Sequence, residues 1–131
     1  MIVIKSSSQD RDVMESGKAD IIFSVEESAR KDFMHQRGSG INHIMCKLMH
    51  KNNIALGFSL DSILNSKNKH VILGRIQQNI KLCRKYKVKM VIASFTPNPF
   101  EMRSPHDLIS LFLKLGMTQK EIRILYTIFI I

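Results

Sequence analysis

The run Ile54-Ala55-Leu56-Gly57-Phe58-Ser59-Leu60 contains no charged side chain and is mostly apolar. A strand that is apolar on both of its faces is typical of a parallel sheet whose two sides are covered. Shorter apolar runs predict three more strands, at Ile2-Val3-Ile4, Ile21-Ile22-Phe23-Ser24-Val25 and Met90-Val91-Ile92-Ala93-Ser94. The sequence therefore predicts a sheet of about four strands, which is too small to close into a barrel.

Amphipathic helices are predicted between these strands. A short helix is expected around 9–16, apolar residues recur at helical spacing over 41–49, and a longer amphipathic helix covers about 70–87. On the outer face of the longest helix we expect Arg75, Gln78, Lys81, Arg84 and Lys85. Strands that alternate with helices imply parallel pairing through right-handed crossovers. The predicted fold class is therefore α/β, either as a small open layer or as part of a larger barrel.

A helix start is predicted at Ser104-Pro105-His106-Asp107. Ser104 can cap the helix, Pro105 suits its first position, and the Asp107 carboxylate can interact with free backbone amides. A further helix is expected from residue 118 onward, because apolar residues recur there at helical spacing.

The composition is typical of a single soluble domain, 1–131. Its 131 residues are 44% hydrophobic and 24% charged, which argues against disorder. No apolar run approaches the roughly 20 residues of a membrane-spanning helix, and no signal peptide is expected at the N-terminus. Cys46 and Cys83 lie too far apart in the sequence for a disulfide framework or a zinc quartet. We expect both to be core residues in a reducing cytoplasm.

The positive charge is concentrated in one segment. The net charge is +9, and residues 62–100 contain no acidic residue. That segment carries Lys67, Lys69, Arg75, Lys81, Arg84, Lys85, Lys87 and Lys89. A basic face attracts polyanions, whereas a merely solvated face usually mixes both signs. The charge distribution therefore favours binding to nucleic acid through phosphate contacts.

The sequence contains no recognisable catalytic motif. Gly38-Ser39-Gly40 lacks the Lys-Ser/Thr pair of a phosphate-binding loop. His43 and His50 lie on one predicted helix and are separated by about 10 Å, which is too far to bind one metal ion together. Ser59 and Ser94 end predicted strands, but no base is evident near them. We therefore predict no nucleophile.

Several stretches resemble one known family in their order and spacing. They are Gly40-Ile41-Asn42-His43, Lys47-Leu48-Met49, the run at 54–60, Lys85-Tyr86-Lys87-Val88 and Arg103-Ser104-Pro105-His106-Asp107-Leu108-Ile109-Ser110-Leu111. Arg30-Lys31-Asp32 also resembles a loop motif of that family. On these residues the chain is similar to the archaeal ribonuclease P protein component 3 family over about 21–118. The resemblance implies a partial TIM-barrel-like (β/α) fold.

The sequence departs from the family pattern in two places. Residues 33–39 intervene between Arg30-Lys31-Asp32 and Gly40, and Asn42 stands where the family carries Asp. Ile2-Val3-Ile4 is similar to a strand from the middle of the family's barrel. We therefore expect this chain to lack the N-terminal barrel strands and to correspond to the C-terminal part of a component 3 barrel.

The resemblance implies a non-catalytic subunit of ribonuclease P, the endoribonuclease complex that matures the 5′ end of precursor transfer RNA. In that family the RNA carries out catalysis, so Mg²⁺ is expected with the RNA and no cofactor on this chain. The implied partners are the ribonuclease P RNA and ribonuclease P protein component 2. Precursor transfer RNA would be contacted indirectly, and a cytoplasmic ribonucleoprotein away from membranes is expected.

Candidate RNA-binding residues follow from the resemblance and from the basic segment. They are Arg30, His43, Lys47, Lys51, Lys81, Arg84, Lys85 and Arg103. Arg103 is the strongest candidate, because a guanidinium beside a helix start would meet a phosphate together with free backbone amides. An ion pair with Glu101 or Asp107 is the alternative interpretation. Ser104 and Asp107 are expected to cap the helix, and no catalytic or metal-binding residue is predicted.

Two other functions are considered. The first is a degenerate metal-dependent phosphoesterase-like TIM-barrel hydrolase, against which the lack of clustered His and carboxylate residues counts. The second is a protein-interaction scaffold whose sheet edge takes up a partner, with incidental basicity.

Overall fold

A computed structural model describes residues 2–27, 38–96, 100 and 102–124. Its elements, in chain order, are β1 (Val3–Lys5), α1 (Asp10–Ser16), β2 (Ile21–Phe23), a 3-10 helix (Val25–Glu27), α2 (His43–Lys51), β3 (Ala55–Ser59), α3 (Leu60–Leu64), α4 (Lys69–Tyr86), β4 (Met90–Ala93) and α5 (Pro105–Lys114). The four predicted strands and the three helices predicted up to residue 87 are all present, with ends shifted by one or two residues.

The four strands form one parallel sheet in the order β1-β2-β3-β4. Leu56 of β3 is in register with Ile22 of β2 and with Met90 of β4. Each strand is joined to the next through a helix, because parallel neighbours need a crossover connection. The predicted α/β class is confirmed.

Apolar side chains cover both faces of the sheet, as the uncharged run at 54–60 predicts. On one face Ile22, Phe58 and Ile92 are fully buried in a core shared with α2, α4 and α5. The Phe58 and Phe112 rings lie there with their centroids 5.9 Å apart. On the other face Phe23 and Phe95 are stacked, with centroids 4.5 Å apart. A strand that is buried on both faces has no place for charge, since an unpaired buried charge is costly.

Helix α2 begins at the Gly40-Ile41-Asn42-His43 motif because Asn42 caps it. The side-chain Oδ1 of Asn42 accepts a hydrogen bond from the Met45 backbone N–H at 3.0 Å. Asn and Asp are equally good N-caps, because both present an oxygen to these amides. Asn42, which stands where the family carries Asp, therefore caps α2 as an Asp could.

Both cysteines are core residues, as predicted. Cys46 and Cys83 are fully buried. Burial raises the pKa of the Cys46 thiol to about 11, and it also raises the pKa of Cys83. A thiol with a raised pKa is a poor nucleophile, because the thiolate is the reactive form.

Arg75 does not lie on the outer face of α4, and that prediction is wrong. Its residue is only 8% exposed, and Nη1 donates to the backbone carbonyl oxygen of Glu26 at 3.0 Å. The 3-10 helix packs against α4 at this point. The guanidinium thus binds a carbonyl group at the carboxyl end of the sheet, which a helical repeat cannot predict.

The helix expected from residue 118 is not formed over the described part of that segment. Residues 118–121 form a turn, and Ile124 makes an isolated parallel bridge with Ile92 of β4. The Ile92 N–H donates to the carbonyl oxygen of Arg123 at 2.7 Å. The open edge of β4 thus pairs with the extended segment at Arg123 and Ile124. Residues 125–131, on which part of the prediction rests, lie outside the described residues.

The short helix α3 is not apparent in the sequence. Ser59 caps it by accepting a hydrogen bond from the Ser62 N–H at 3.4 Å. Five residues are too few to show a helical repeat. Among the helices of the described ranges, none is long and apolar enough to cross a membrane.

Candidate nucleic-acid interface

The C-terminal parts of α2 and α4 lie side by side and bring basic residues together. Lys47 of α2 and Lys85 of α4 both approach the ring of Tyr86, with Nζ atoms 6.0 and 5.5 Å from its centroid. We call this surface, with the exposed Lys51 and His50, the α2–α4 seam. An exposed cation beside an aromatic face gains about 0.5–1 kcal/mol. Tyr86 therefore favours positions of the two ammonium groups beside the same ring.

A hydrogen bond joins the two helix ends at the seam. His50 Nδ1 lies 3.0 Å from the carbonyl oxygen of Lys87, which requires the ring proton at Nδ1. Lys87 ends α4 in the left-handed conformation, with φ of 58°. The ends of the two packed helices that carry the seam are thus joined directly.

Other candidates on these helices differ in position. Lys81 is exposed one turn before Lys85 and lies on the same side of α4. His43 is exposed at the first position of α2, two turns away from His50. The seam therefore extends along α4 through Lys81, whereas His43 lies at the other end of α2.

Arg84 lies on another side of α4 and is engaged within the protein. Its Nε and Nη2 atoms donate to Oε2 and Oε1 of Glu121 at 3.1 and 2.8 Å, and Nη2 also donates to the Gly116 carbonyl oxygen at 2.7 Å. The hydrogen bonds from Arg84 lower the pKa of Glu121 to about 2. Because it holds the 116–121 segment against α4, Arg84 has a structural role.

Replacing Glu121 with Gln is expected to lower Tm at pH 7, because it removes a bidentate ion pair. The folded-state pKa of Glu121 lies below its unfolded value of 4.5, so its contribution is present above pH 4.5 and is lost as pH falls through about 2. The Tm difference between wild type and Glu121→Gln should therefore vanish towards pH 2 in thermal unfolding.

The matched control is Glu15→Gln, since Glu15 pairs with Arg11 at 3.2 Å between well-exposed positions on α1. An exposed i,i+4 pair contributes little. Equal Tm changes in the two variants would show that the Arg84–Glu121 pair is not structural.

Arg103 lies at the opposite end of the sheet from the seam. It follows β4, and its backbone N–H donates to the Ser94 hydroxyl at 3.2 Å. Lys51 and Lys87, by contrast, precede β3 and β4. The exposed Arg103 side chain and Asp107 line a cavity of about 260 Å³ beside Leu60. The structure therefore does not bring Arg103 together with the lysines, and Arg30 lies outside the described residues.

Ser104 is the N-cap of α5. Its hydroxyl accepts a hydrogen bond from the Asp107 backbone N–H at 3.3 Å, and Pro105 occupies the first helical position. Asp107 lies in the first turn, where a carboxylate is favourable near the positive end of the helix dipole.

A polar cluster that the sequence does not reveal lies at the carboxyl ends of β2 and β3. Glu26 is fully buried, and desolvation raises its pKa to about 7. Within the described residues, neither of its carboxylate oxygens has a hydrogen-bond partner. Nearby, the Ser62 hydroxyl lies 3.0 Å from that of Ser24. Glu26 and the exposed Glu27 are adjacent and chemically identical in the sequence, so no local signal distinguishes the buried one.

The carboxyl ends of β1 and β2 also border a cavity of about 700 Å³. Its lining includes four serines and three charged residues besides the Asn42 cap: Ser6, Ser7, Ser8, Ser24, Asp10, Arg11 and Glu27. Within residues 2–27, 38–96, 100 and 102–124, no three His, Cys, Asp or Glu residues are grouped so that they could hold a metal ion.

These features define a class of protein: an α/β chain with a four-stranded parallel sheet, whose basic helical surface lies away from the carboxyl ends of its strands. The model of the RNase P subunit p30 family matches residues 6–126. The chain belongs to this family.

The chain is similar to named archaeal proteins. Ribonuclease P protein component 3 of Methanococcoides burtonii is 33% identical over 87 residues, which cover 65% of this chain and 36% of that protein. The component 3 protein of Methanosarcina acetivorans is 28% identical over 121 residues, or 88% of this chain and 51% of that protein. The chain thus spans about half or less of the length of these relatives.

A solved structure shares the fold. A chain in a cryo-EM structure of archaeal ribonuclease P with mature tRNA superposes with a TM-score of 0.76 at 26% sequence identity. The match covers 88% of this chain and 49% of that chain. The partial TIM-barrel-like architecture predicted from the resemblance is thereby confirmed.

Proposed function

We propose that this chain is a non-catalytic protein subunit of ribonuclease P that binds the catalytic RNA and supports 5′ maturation of precursor transfer RNA. Membership of the p30 family supports the assignment, and a chain of similar fold is part of an archaeal ribonuclease P bound to tRNA. The observation that carries the RNA-binding role is the convergence of Lys47 and Lys85 on Tyr86.

The chemistry of the seam suits a phosphate backbone. Ammonium groups contact phosphates as point charges, which contributes affinity without choice of sequence. The tyrosine between them is only partly exposed, so it is better placed to hold the lysines than to stack a base. The expected ligand is therefore a folded RNA recognised by its backbone and shape.

The decisive experiment is reconstitution. Ribonuclease P RNA and protein component 2 are assembled with and without this chain, and cleavage of precursor transfer RNA is measured at limiting Mg²⁺. The chain should increase cleavage and lower the Mg²⁺ requirement, since neutralised phosphates let the RNA fold at lower ionic strength. Cleavage that is independent of the chain would overturn the proposal. A phosphatase activity of the chain alone, lost on chelation, would favour the hydrolase alternative.

Component 2 is the proposed protein partner. Co-purification of the two proteins in the absence of RNA tests this directly. If the two proteins do not associate at micromolar concentration, component 2 is not a direct partner, and RNA binding is the part of the proposal that stands.

The double variant Lys47→Gln/Lys85→Gln should weaken binding to the ribonuclease P RNA by about 60-fold near 0.1 M salt. It should also reduce the slope of log K against log salt by nearly 2, because each lost phosphate contact removes about 0.9. Fluorescence anisotropy over a salt series measures both quantities.

The control Lys18→Gln/Lys114→Gln removes the same amount of charge from two other exposed positions. Lys18 precedes β2, and Lys114 is the last residue of α5. Identical slopes in the two variants would show that binding depends on net charge and not on the seam.

A further inference from the structure

The amino end of β4 opens onto a second basic surface, formed by parts of the chain that are distant in sequence. A cleft of about 240 Å³ lies between the end of α4, the start of β4 and the segment 120–123. Besides Arg84, four exposed cations line it: Lys87, Lys89, Lys120 and Arg123. We call it the amino-end cleft.

Among the described residues, a single internal ion pair involves the lining of the amino-end cleft, and it leaves most of the positive charge there uncompensated. Among the residues that line it, the acidic one is Glu121, and both of its carboxylate oxygens accept hydrogen bonds from Arg84. The pKa of Glu121 is held near 2 by this pairing, so the pair is neutral as a whole at physiological pH. The four other cations therefore set the potential of the cleft.

The backbone that carries these cations is fixed before any ligand arrives. The Leu56 N–H donates to the carbonyl oxygen of Lys89 at 2.9 Å, and the Ile92 N–H donates to that of Arg123 at 2.7 Å. Arg84 ties the same segment to α4 through the Gly116 carbonyl oxygen. Preorganised groups bind more tightly, because less conformational entropy is lost on association.

Helix-end electrostatics do not account for this cluster. Lys or Arg near a helix C-terminus can simply complement the helix dipole, and Lys87 fits that explanation. Lys120 and Arg123 lie outside the helices, and Lys89 directly precedes a strand. A group of cations that no helix end explains favours the binding of an anionic ligand.

We propose that the amino-end cleft binds consecutive phosphate groups of an RNA strand, as a contact region separate from the lysines at Tyr86. This inference rests on the proposed function. Lys87 connects the two surfaces, since its carbonyl oxygen receives the hydrogen bond of His50 in the seam while its side chain lines the cleft. One RNA backbone can therefore follow the ends of α2 and α4 from the seam into the cleft.

The test uses the full chain and labelled ribonuclease P RNA in anisotropy titrations over a salt series. Lys89→Gln/Arg123→Gln should weaken binding by about 60-fold near 0.1 M salt and reduce the salt slope by nearly 2, corresponding to two lost phosphate contacts. Lys18→Gln/Lys114→Gln again serves as the charge-matched control. Lys120→Gln/Arg123→Gln is the second cleft variant, and unchanged Tm values show that the variants fold.

The outcomes separate this inference from the proposed function. If both cleft variants behave like the control while the seam variant loses affinity, the amino-end cleft is not an RNA site and the proposed function stands. If wild type does not bind the RNA, both fail. If poly-glutamate displaces the RNA from wild type as well as unlabelled RNA does at equal charge, the cleft is a general polyanion surface that an acidic protein can occupy, and the RNA assignment is wrong.

Discussion

Replacing Gly40 with Ala is expected to lower the free energy of unfolding by about 3–5 kcal/mol, from backbone strain and overpacking together. Gly40 has φ of +92°, which residues with a side chain rarely adopt, and an added Cβ would overlap the carbonyl group of Val25. Val25 belongs to the 3-10 helix and is fully buried, so its backbone cannot move away without disturbing the core. Urea denaturation measures the effect as a lower midpoint at unchanged m-value.

Gly116 offers a matched control for Gly40. Its φ is also positive, at +112°, but a Cβ there would meet no atom within 4 Å. Gly116→Ala should therefore cost only the backbone strain, about 1–2 kcal/mol. Equal losses in the two variants would show that the contact with Val25 does not matter. Gly40 lies two residues before Asn42, the N-cap of α2. Its substitution therefore also affects the start of the helix that carries Lys47.

Replacing Glu26 with Gln is expected to stabilise the protein above pH 7 by about 3 kcal/mol, with little effect below pH 4.5. The pKa of Glu26 is about 7 when folded, against 4.5 for the unfolded chain. Between these values the folded protein binds a proton that the unfolded chain does not, so stability falls as pH rises from 4.5 to 7 and then levels off. The neutral amide has no such penalty.

The measurement is the difference in unfolding free energy between wild type and Glu26→Gln across pH 4–8. Taking the difference cancels the titration of groups common to both proteins, including the five histidines. Glu27→Gln is the control, because Glu27 is exposed and pairs with Lys5 at 3.6 Å. A pH-independent difference for Glu26→Gln would mean that Glu26 is not desolvated as its burial indicates.

The two ends of the sheet have different chemistry. The carboxyl end holds the buried Glu26, the polar cavity beside β1 and β2, and Arg103. By contrast, Lys47, Lys51 and Lys85 lie on the helix pair whose ends precede β3 and β4. TIM-barrel enzymes place their catalytic groups at the carboxyl end. The lysines of this chain lie away from that end, on the outer surface of its helices. This arrangement suits binding of a polyanion, in agreement with the proposed RNA-binding role.

Local patterns in the sequence determined the strands, the main helices and the start of α5. The uncharged run at 54–60 predicted a strand covered on both faces, and Ser104 before Pro105 predicted the beginning of a helix; both depend only on neighbouring residues. The absence of acidic residues over 62–100 likewise indicated a basic surface. The spacing of apolar residues, helix-capping residues and runs of charge involve only neighbouring positions. A single amino-acid sequence is therefore enough to recognise them.

Tertiary structure alone decided which basic residues act together. Arg75, Arg84 and Lys85 occur on one helix and look alike in sequence, yet Arg75 binds a carbonyl in the interior, Arg84 binds Glu121, and Lys85 faces Tyr86 with Lys47. The cleft at β4 likewise assembles Lys89 with Arg123 from distant parts of the chain. A side chain's role depends on the potential and the partners around it in space, and those are set by elements that meet only when the chain folds.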